Sequence, residues 1–262
     1  MLYTNSYTPA PISLPLPDDE LLGPEPYDLN WILPLHLETL ENERVKLVPF
    51  IPREHGAPFF AETTKDPHFF RYYFSIWRDL RDWLTWLERD GRRNPANVYF
   101  AIIDKTRPNT AHPHWGGSLA GAIGLFYVNA VHLTGEVSFV AVLPQFQRTH
   151  VARTAVGLVL RFALELPTAH PPGLGLRRVQ WRAHEQNVPS VRLAERMGFK
   201  REGCVRWVWA LNEERAEDGV RPREGDKWPE RFGRHMVLLS VCCDDWENGG
   251  REVVQEQMDR AV

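Results

Sequence analysis

The chain has 262 residues, a net charge of −3, 43% hydrophobic and 25% charged residues, and ten tryptophans. That suits one large domain, or one domain with appendages, around a sizeable core. The near-neutral balance recruits no nucleic acid, no apolar run reaches membrane-spanning length, and the opening MLYTNSYTPAPISLPLPDDE lacks the basic start and apolar stretch of a signal peptide, so a cytoplasmic protein is expected.

Residues 1–36 carry Pro9, Pro11, Pro15, Pro17, Pro24, Pro26 and Pro34, which predict an extended arm. Tyr27, Trp31, Ile32 and Leu35 can pin its end to the body or to a second subunit of a homodimer. A strand is predicted at 45–50, helical pattern at 56–64 and more strongly at 79–89, and strands at 97–104, 118–128 and 135–143. Between the two helical segments runs an aromatic cluster, FFRYYF at 69–74 with Trp77, Trp83 and Trp86 following. Such a cluster is either packed core or the wall of a pocket.

The stretch GEVSFVAVLPQFQRTHVARTAVGLVLRFALE from Gly135 carries the most information. An apolar strand stops at Pro144, a polar turn Gln147-Arg148-Thr149-His150-Val151-Ala152-Arg153 follows, and a helix opens near Thr149 with Ala152, Val156, Val159, Leu160 and Ala163 on one face. A helix start leaves its first amides unpaired and carries partial positive charge, so this turn is suited to an anionic group such as phosphate. Arg148, Arg153, Arg177, Arg178 and Arg182 make either a basic face for that group or a solvated helix and strand edge. The loop PTAHPPGLG at 167–175 ends the helix, since its two adjacent prolines cannot continue it.

A strand at 176–184 then leads to Asn187-Val188-Pro189-Ser190. There Asn187 is a good N-cap, Pro189 suits the first turn, and Gly198 stops the helix after Glu195-Arg196-Met197. A further strand follows from Lys200, in which period two places Trp207 and Trp209 on one face. The charged segment 212–230 is predicted as an exposed hairpin loop before the last strand at 233–241. Cys204, Cys242 and Cys243 lack metal-ligand spacing and leave an odd thiol. They predict a reducing compartment, buried inert sulfurs and no metal.

The strand–turn–helix of 135–165, followed by a strand, the Asn187-x-x-Ser190 helix and Glu195-Arg196-Met197-Gly198-Phe199, resembles the GNAT N-acetyltransferases, and most nearly their RimJ/RimL-type branch. The resemblance spans roughly 37–246. It implies an α/β (α+β) GNAT fold: a mixed, mostly antiparallel sheet of about seven strands flanked by helices, with strands four and five splayed around acetyl-CoA. The domain is expected at 37–247, with a C-terminal tail at 248–262. The family's phosphate loop usually carries glycines where this chain has His150 and Ala152, so a residue with a side chain is expected to make that turn.

The resemblance further implies a role for each of these residues. Glu136 is the expected general base, with His184 and Glu185 as runners-up. Ser190 is expected to protonate the departing thiolate or to hold the sulfur region of the cofactor. Main-chain groups of Phe139, Val140 and Val142 are expected to polarise the thioester, and Gln147, Arg148, Thr149, His150, Val151, Ala152, Arg153 and Asn187 to hold the cofactor. Tyr72 and Tyr73, with their polar tips, are expected on the acceptor wall. The acceptor is a small-molecule amine or a peptide N-terminus. Two other readings stay open at this point: a catalytically degenerate domain that binds an acyl-CoA or a protein, and a scaffold that works through the Pro-rich arm.

Overall fold

The computed structural model describes residues 4, 6, 16–73, 75–211 and 213–261. Seven strands form one sheet: β1 (Val45–Pro49), β2 (Val98–Asp104), β3 (Ser118–Asn129), β4 (Thr134–Val142), β5 (Arg178–His184), β6 (Lys200–Ala210) and β7 (Gly233–Cys242). Their order is β1-β2-β3-β4-β5-β7-β6. Every pairing is antiparallel except β4 with β5, as the resemblance implied. The long crossover that parallel neighbours require is α3 (Val151–Leu164) with the proline loop behind it.

One face of the sheet is covered by α1 (Ala57–Thr63) and α2 (Leu80–Trp86). There Trp83 and Trp86 stack on each other 5.1 Å apart and pack against Phe139 and Tyr99 of the strands. Asp79 caps α2 by accepting from the Asp82 amide, which fixes where the helix starts. The aromatic cluster is therefore largely core, and burial of such rings dominates the energetics of this layer.

The opposite face is covered by α3 and by α4 (Val188–Arg196). Phe162 of α3 meets Phe100 of β2 edge-on at 6.2 Å. After β7, a single turn α5 (Cys243–Asp245) leads to α6 (Arg251–Asp259), which lies on α3 with Val254 and Met258 buried. The segment expected as a tail at 248–262 thus contains a helix whose apolar residues have a core to join.

Three further expectations are corrected. Cys204 and Cys243 are exposed and Cys242 is half-buried, because β6 is an edge strand and Cys243 begins the α5 turn. Trp207 and Trp209 do not share a face: the β6–β7 register shifts between Val205 and Trp209, and Trp207 sits at φ +56°. Of the segment expected as an exposed loop, 221–230 is largely exposed, but the part before it is tied to the body where Arg215 donates to the Phe70 and Arg71 carbonyls and Asp218 lies 3.8 Å from Arg71.

Of the Pro-rich arm, the described part lies on the body. Leu16 and Leu21 are buried, Trp31 and Leu35 pack on the core, Ile32 is exposed, and the Ile32 amide donates to Pro95 O at 3.1 Å. Residues 1–3, 5 and 7–15 lie outside the described residues.

Candidate active site

The parallel ladder between β4 and β5 is short. Thr134, Gly135 and Glu136 face Arg178, Val179 and Gln180, and beyond that the two strands separate. Side chains two apart on a strand share a face, as do cross-strand partners. Glu136, Gln180, Arg182, His184 and Met236 therefore line the α2 side of the fork, whereas Trp181 and Ala183 look toward α4. A cavity of about 840 Å³ is bordered by residues of both faces, so it passes through the gap in the sheet.

Glu136 sits at the vertex. Its carboxylate is buried and accepts from Ser138 Oγ, Gln180 Nε2 and Arg182 Nε, each at 2.7 Å. About four lone-pair sites exist on a carboxylate, so these three bonds leave one. Arg182 and Arg178, read from sequence as a basic face, are both spent on ion pairs. Arg182 is paired with Glu136, and Arg178 makes a two-pronged pair with Glu202 at 2.6 and 2.5 Å.

On the α3 side, Gln147, Arg148, Thr149, Ala152 and Arg153 line the cavity. The N-cap His150 makes no side-chain cap and the first turn of α3 has no acidic residue, so the amides beyond Val151, which meets Thr149 Oγ1, are suited to an anion. Among the described residues the buried Arg153 Nε has no partner, while its Nη2 donates to the Arg260 carbonyl. Burial, then the neighbouring guanidinium groups of Arg44, Arg260 and Arg196, push its pKa below the ordinary value. Among the described residues these guanidinium groups have no ion-pair partner.

The expectation for His150 and Val151 changes. The Val151 side chain is fully buried and its amide meets Thr149 Oγ1 at 3.3 Å, while the His150 ring turns away from the cavity to lie 3.3 Å from Asp104 Oδ1. Nor does the missing glycine strain the loop at 150 or 152. His150 has helical dihedrals (φ −66°, ψ −22°) and Ala152 lies inside α3. The left-handed residue is Arg148, at φ +59°.

The α4 side follows the sequence closely. Asn187 caps the helix by accepting from the Ser190 amide at 3.3 Å, and both residues border the cavity. Ser190 Oγ accepts from Trp181 Nε1 at 3.0 Å, which leaves its own O–H free to donate.

The strand β4 has one extra residue opposite β3. Ala141 and Ser138 are in register with Ala122 and Gly124, so Phe139 and Val140 stand against Ile123 alone. Phe139 takes φ +57° to make this bulge. Neither residue is in register with β5. Tyr73 Oη donates to the Val140 carbonyl at 3.1 Å, and its ring lies 4.5 Å from that of Phe139, so Tyr73 braces the bulge as well as lining the cavity.

Tyr72 also lines it, its ring stacked 5.6 Å from His184. Both His184 nitrogens are engaged, Nδ1 accepting from the Gln186 amide and Nε2 facing the Asp218 carbonyl, each at 3.1 Å. Burial holds its pKa below the ordinary value. His184 is thus a neutral structural ring with no free lone pair, and Glu185 does not border the cavity.

Several cavity residues escaped the sequence reading. Arg196, Gln257 and Arg260 join the cationic end from α4 and the C-terminus. Asp90 enters from a π-helical turn, Leu87–Arg92, that continues α2, and burial raises its pKa. Asn97 donates to the Asp90 carbonyl at 2.7 Å and accepts from the Tyr127 amide at 2.9 Å, which fixes Tyr127 at φ +53°. Only the fold brings such distant positions together; local spacing carries no sign of them. Away from the cavity, Cys242, Asp244 and Asp245 gather within 4.8 Å, where Asp245 accepts from the Cys242 amide and pairs with Lys200.

Among the described residues no helix is long and apolar enough to cross a membrane. No curated protein matches the chain. Its fold is similar to that of a GCN5-related N-acetyltransferase from Brucella melitensis (TM-score 0.62, 22% identity, 84% of each chain covered). It is also similar to a GNAT-family structure from Chromobacterium violaceum ATCC 12472 (TM-score 0.64, 21% identity, 92% of this chain and 100% of that one). A third likeness is to spermidine N-acetyltransferase from Vibrio cholerae in complex with CoA and spermine (TM-score 0.55, 16% identity, 79% of this chain and 100% of that one). Residues 44–200 match the family model described as the acetyltransferase (GNAT) domain. With that match and the forked sheet behind it, the chain belongs to the GNAT acetyltransferase family and is an acyltransferase.

Proposed function

We propose that this chain is an acetyl-CoA-dependent N-acetyltransferase of the RimJ/RimL-like branch, moving an acetyl group to a primary amine of a small molecule or a protein N-terminus. The observation that carries the reading is the cavity through the fork, with an uncapped, cationic helix start on one face and the Glu136 cluster on the other. The partnerless Arg153 Nε supports the fit to a diphosphate. Arg148, Arg153, Arg196 and Arg260 with the first amides of α3 would hold the phosphates, and Asn187 the pantetheine arm. When bound, acetyl-CoA supplies an acetyl group activated as a thioester. The three free cysteines suit a reducing, cytoplasmic setting.

In this reading the main-chain N–H groups around the Phe139–Val140 bulge polarise the thioester carbonyl. Glu136 accepts the ammonium proton, directly or through water, at its remaining lone-pair site. The N–C bond forms and the C–S bond breaks. Of the two protons the ammonium group loses, one ends on the departing sulfur by way of Ser190 Oγ and the other leaves to solvent. Tyr72 and Tyr73 wall the acceptor side. Positioning contributes several kcal/mol in such reactions.

The test is thiol release from acetyl-CoA across a panel of amines. Release that needs both an amine and acetyl-CoA, and falls at least ~100-fold in Glu136→Gln, supports the reading. A chain that binds acetyl-CoA but releases no thiol with any amine is instead a catalytically degenerate acyl-CoA-binding module.

A further inference from the structure

On the α2 side of the sheet the cavity is bordered by Arg234. Arg234 stands in register with Trp209 of β6 and two residues before Met236, the partner of His184. It therefore belongs to the face that carries Glu136. Its side chain is buried, with 4% exposure for the residue, yet among the described residues its hydrogen bonds go to neutral groups. Nε donates to Met236 Sδ at 3.1 Å, and Nη2 donates to the Tyr72 carbonyl. Thioether sulfur is a weak acceptor, and a guanidinium has five N–H donors.

No carboxylate lies within ion-pair distance of Arg234 among the described residues. Asp218 is the acidic group that acts on it, and Asp218 is turned to Arg71 at 3.8 Å and Arg215 at 4.0 Å. Burial and the charge of Arg215 push the Arg234 pKa down to about 10, which still leaves it protonated at neutral pH. Buried charges are paired in stable proteins, because an uncompensated one is costly. The Tyr72 carbonyl orients the fork without neutralising it.

On the same side of the sheet, the Glu136 carboxylate is already matched by Arg182. A polycation entering this end would meet the bare charge of Arg234, and like charges brought together are strongly disfavoured. A carboxylate would complete the site, since guanidinium and carboxylate form paired, charge-assisted hydrogen bonds.

We propose that Arg234 anchors a carboxylate of the acceptor, so that the chain acetylates an amine that also bears an acid group, not a polyamine. This rests on the transferase reading above. The experiment compares α-amino acids with their own carboxamides, and both with spermidine. Binding to the acetyl-CoA-saturated chain is measured by titration, and initial rates by thiol release.

At least one acid is expected to exceed its carboxamide about 10- to 100-fold in affinity and kcat/KM, the range of a charge-assisted bond. Arg234→Met is expected to erase that ratio, with KM rising more for the acid than for the carboxamide. A variant damaged only in folding would lose both acceptors equally, and that result counts against the proposal. If the variant does not fold, the acid-to-carboxamide ratio of the unmodified chain decides. No acid better than its carboxamide, or spermidine preferred, overturns the assignment while leaving the transferase reading intact. Failure of the unmodified chain to bind acetyl-CoA overturns both.

Discussion

Arg182 Nε donates to Glu136 Oε2 at 2.7 Å across the point where β4 and β5 part, so a part-buried ion pair stands at the vertex of the opening. Both side chains are well shielded, at 6% exposure for Glu136 and 21% for Arg182. Breaking such a pair leaves one charge unmatched, whereas removing both members costs much less. Glu136→Gln is therefore expected to lower unfolding free energy by about 2 kcal/mol, and Glu136→Gln with Arg182→Met by less than the single change. Denaturant melts of the two singles and the double check this, and simple additivity would contradict it.

Ser190 Oγ satisfies Trp181 Nε1 and keeps its own proton for the cavity. Ser190→Ala is expected to cost about 1 kcal/mol of stability through the orphaned indole N–H. It should lower kcat by ~10-fold or more with acetyl-CoA affinity held within about two-fold. A rate unchanged from that of the unmodified chain would remove Ser190 from proton delivery.

Gly157 lets α6 lie against α3. A Cβ there would meet Met258 Sδ at 2.5 Å and Cγ at 2.6 Å. Alanine gains about 1 kcal/mol of helix propensity, and a flexible methionine can yield, so Gly157→Ala is expected to be near neutral. Gly157→Leu is expected to cost about 1–3 kcal/mol. It should also weaken acetyl-CoA binding, because α6 and the residue after it bring Gln257 and Arg260 to the cavity. Equal affinity in the leucine variant would separate α6 from the cofactor wall.

His55 gives the fold a pH limit. Its Nδ1 accepts from the Ile51 amide at 3.0 Å, and burial lowers its pKa from 6.5 to about 4. A depressed folded-state pKa means that the unfolded chain binds the proton more readily. The contribution is complete above about pH 6.5 and is lost as pH falls to about 4. The shift corresponds to about 3 kcal/mol. Unfolding free energy measured at pH 7 and pH 4 should change by about that much less in His55→Gln; an identical change in the two proteins would contradict the assignment.

The elements were legible where local chemistry decides. β2 to β4 announce themselves by apolar runs, α4 by Asn187 and Pro189, and the end of α3 by the proline loop. What stayed hidden depends on partners far apart in the chain. Arg182 reads as part of a basic face until the fork sets it beside Glu136. The bulge at Phe139 and the break in alternation at Trp207 come from register, which period two cannot foresee. In the turn expected to hold phosphate the left-handed position falls on Arg148, and His150 needs no glycine because it already has helical dihedrals.

Calorimetric titration of the full chain with acetyl-CoA, with adenosine diphosphate as control, tests the central claim most directly. Binding is expected with Kd on the order of micromolar. It should weaken as salt rises, weaken at least ~10-fold in Arg153→Met, and be only partly reproduced by the diphosphate. No binding to a folded chain at millimolar acetyl-CoA would mean that the cationic start of α3 serves something other than a coenzyme A phosphate, and the transferase reading would fall.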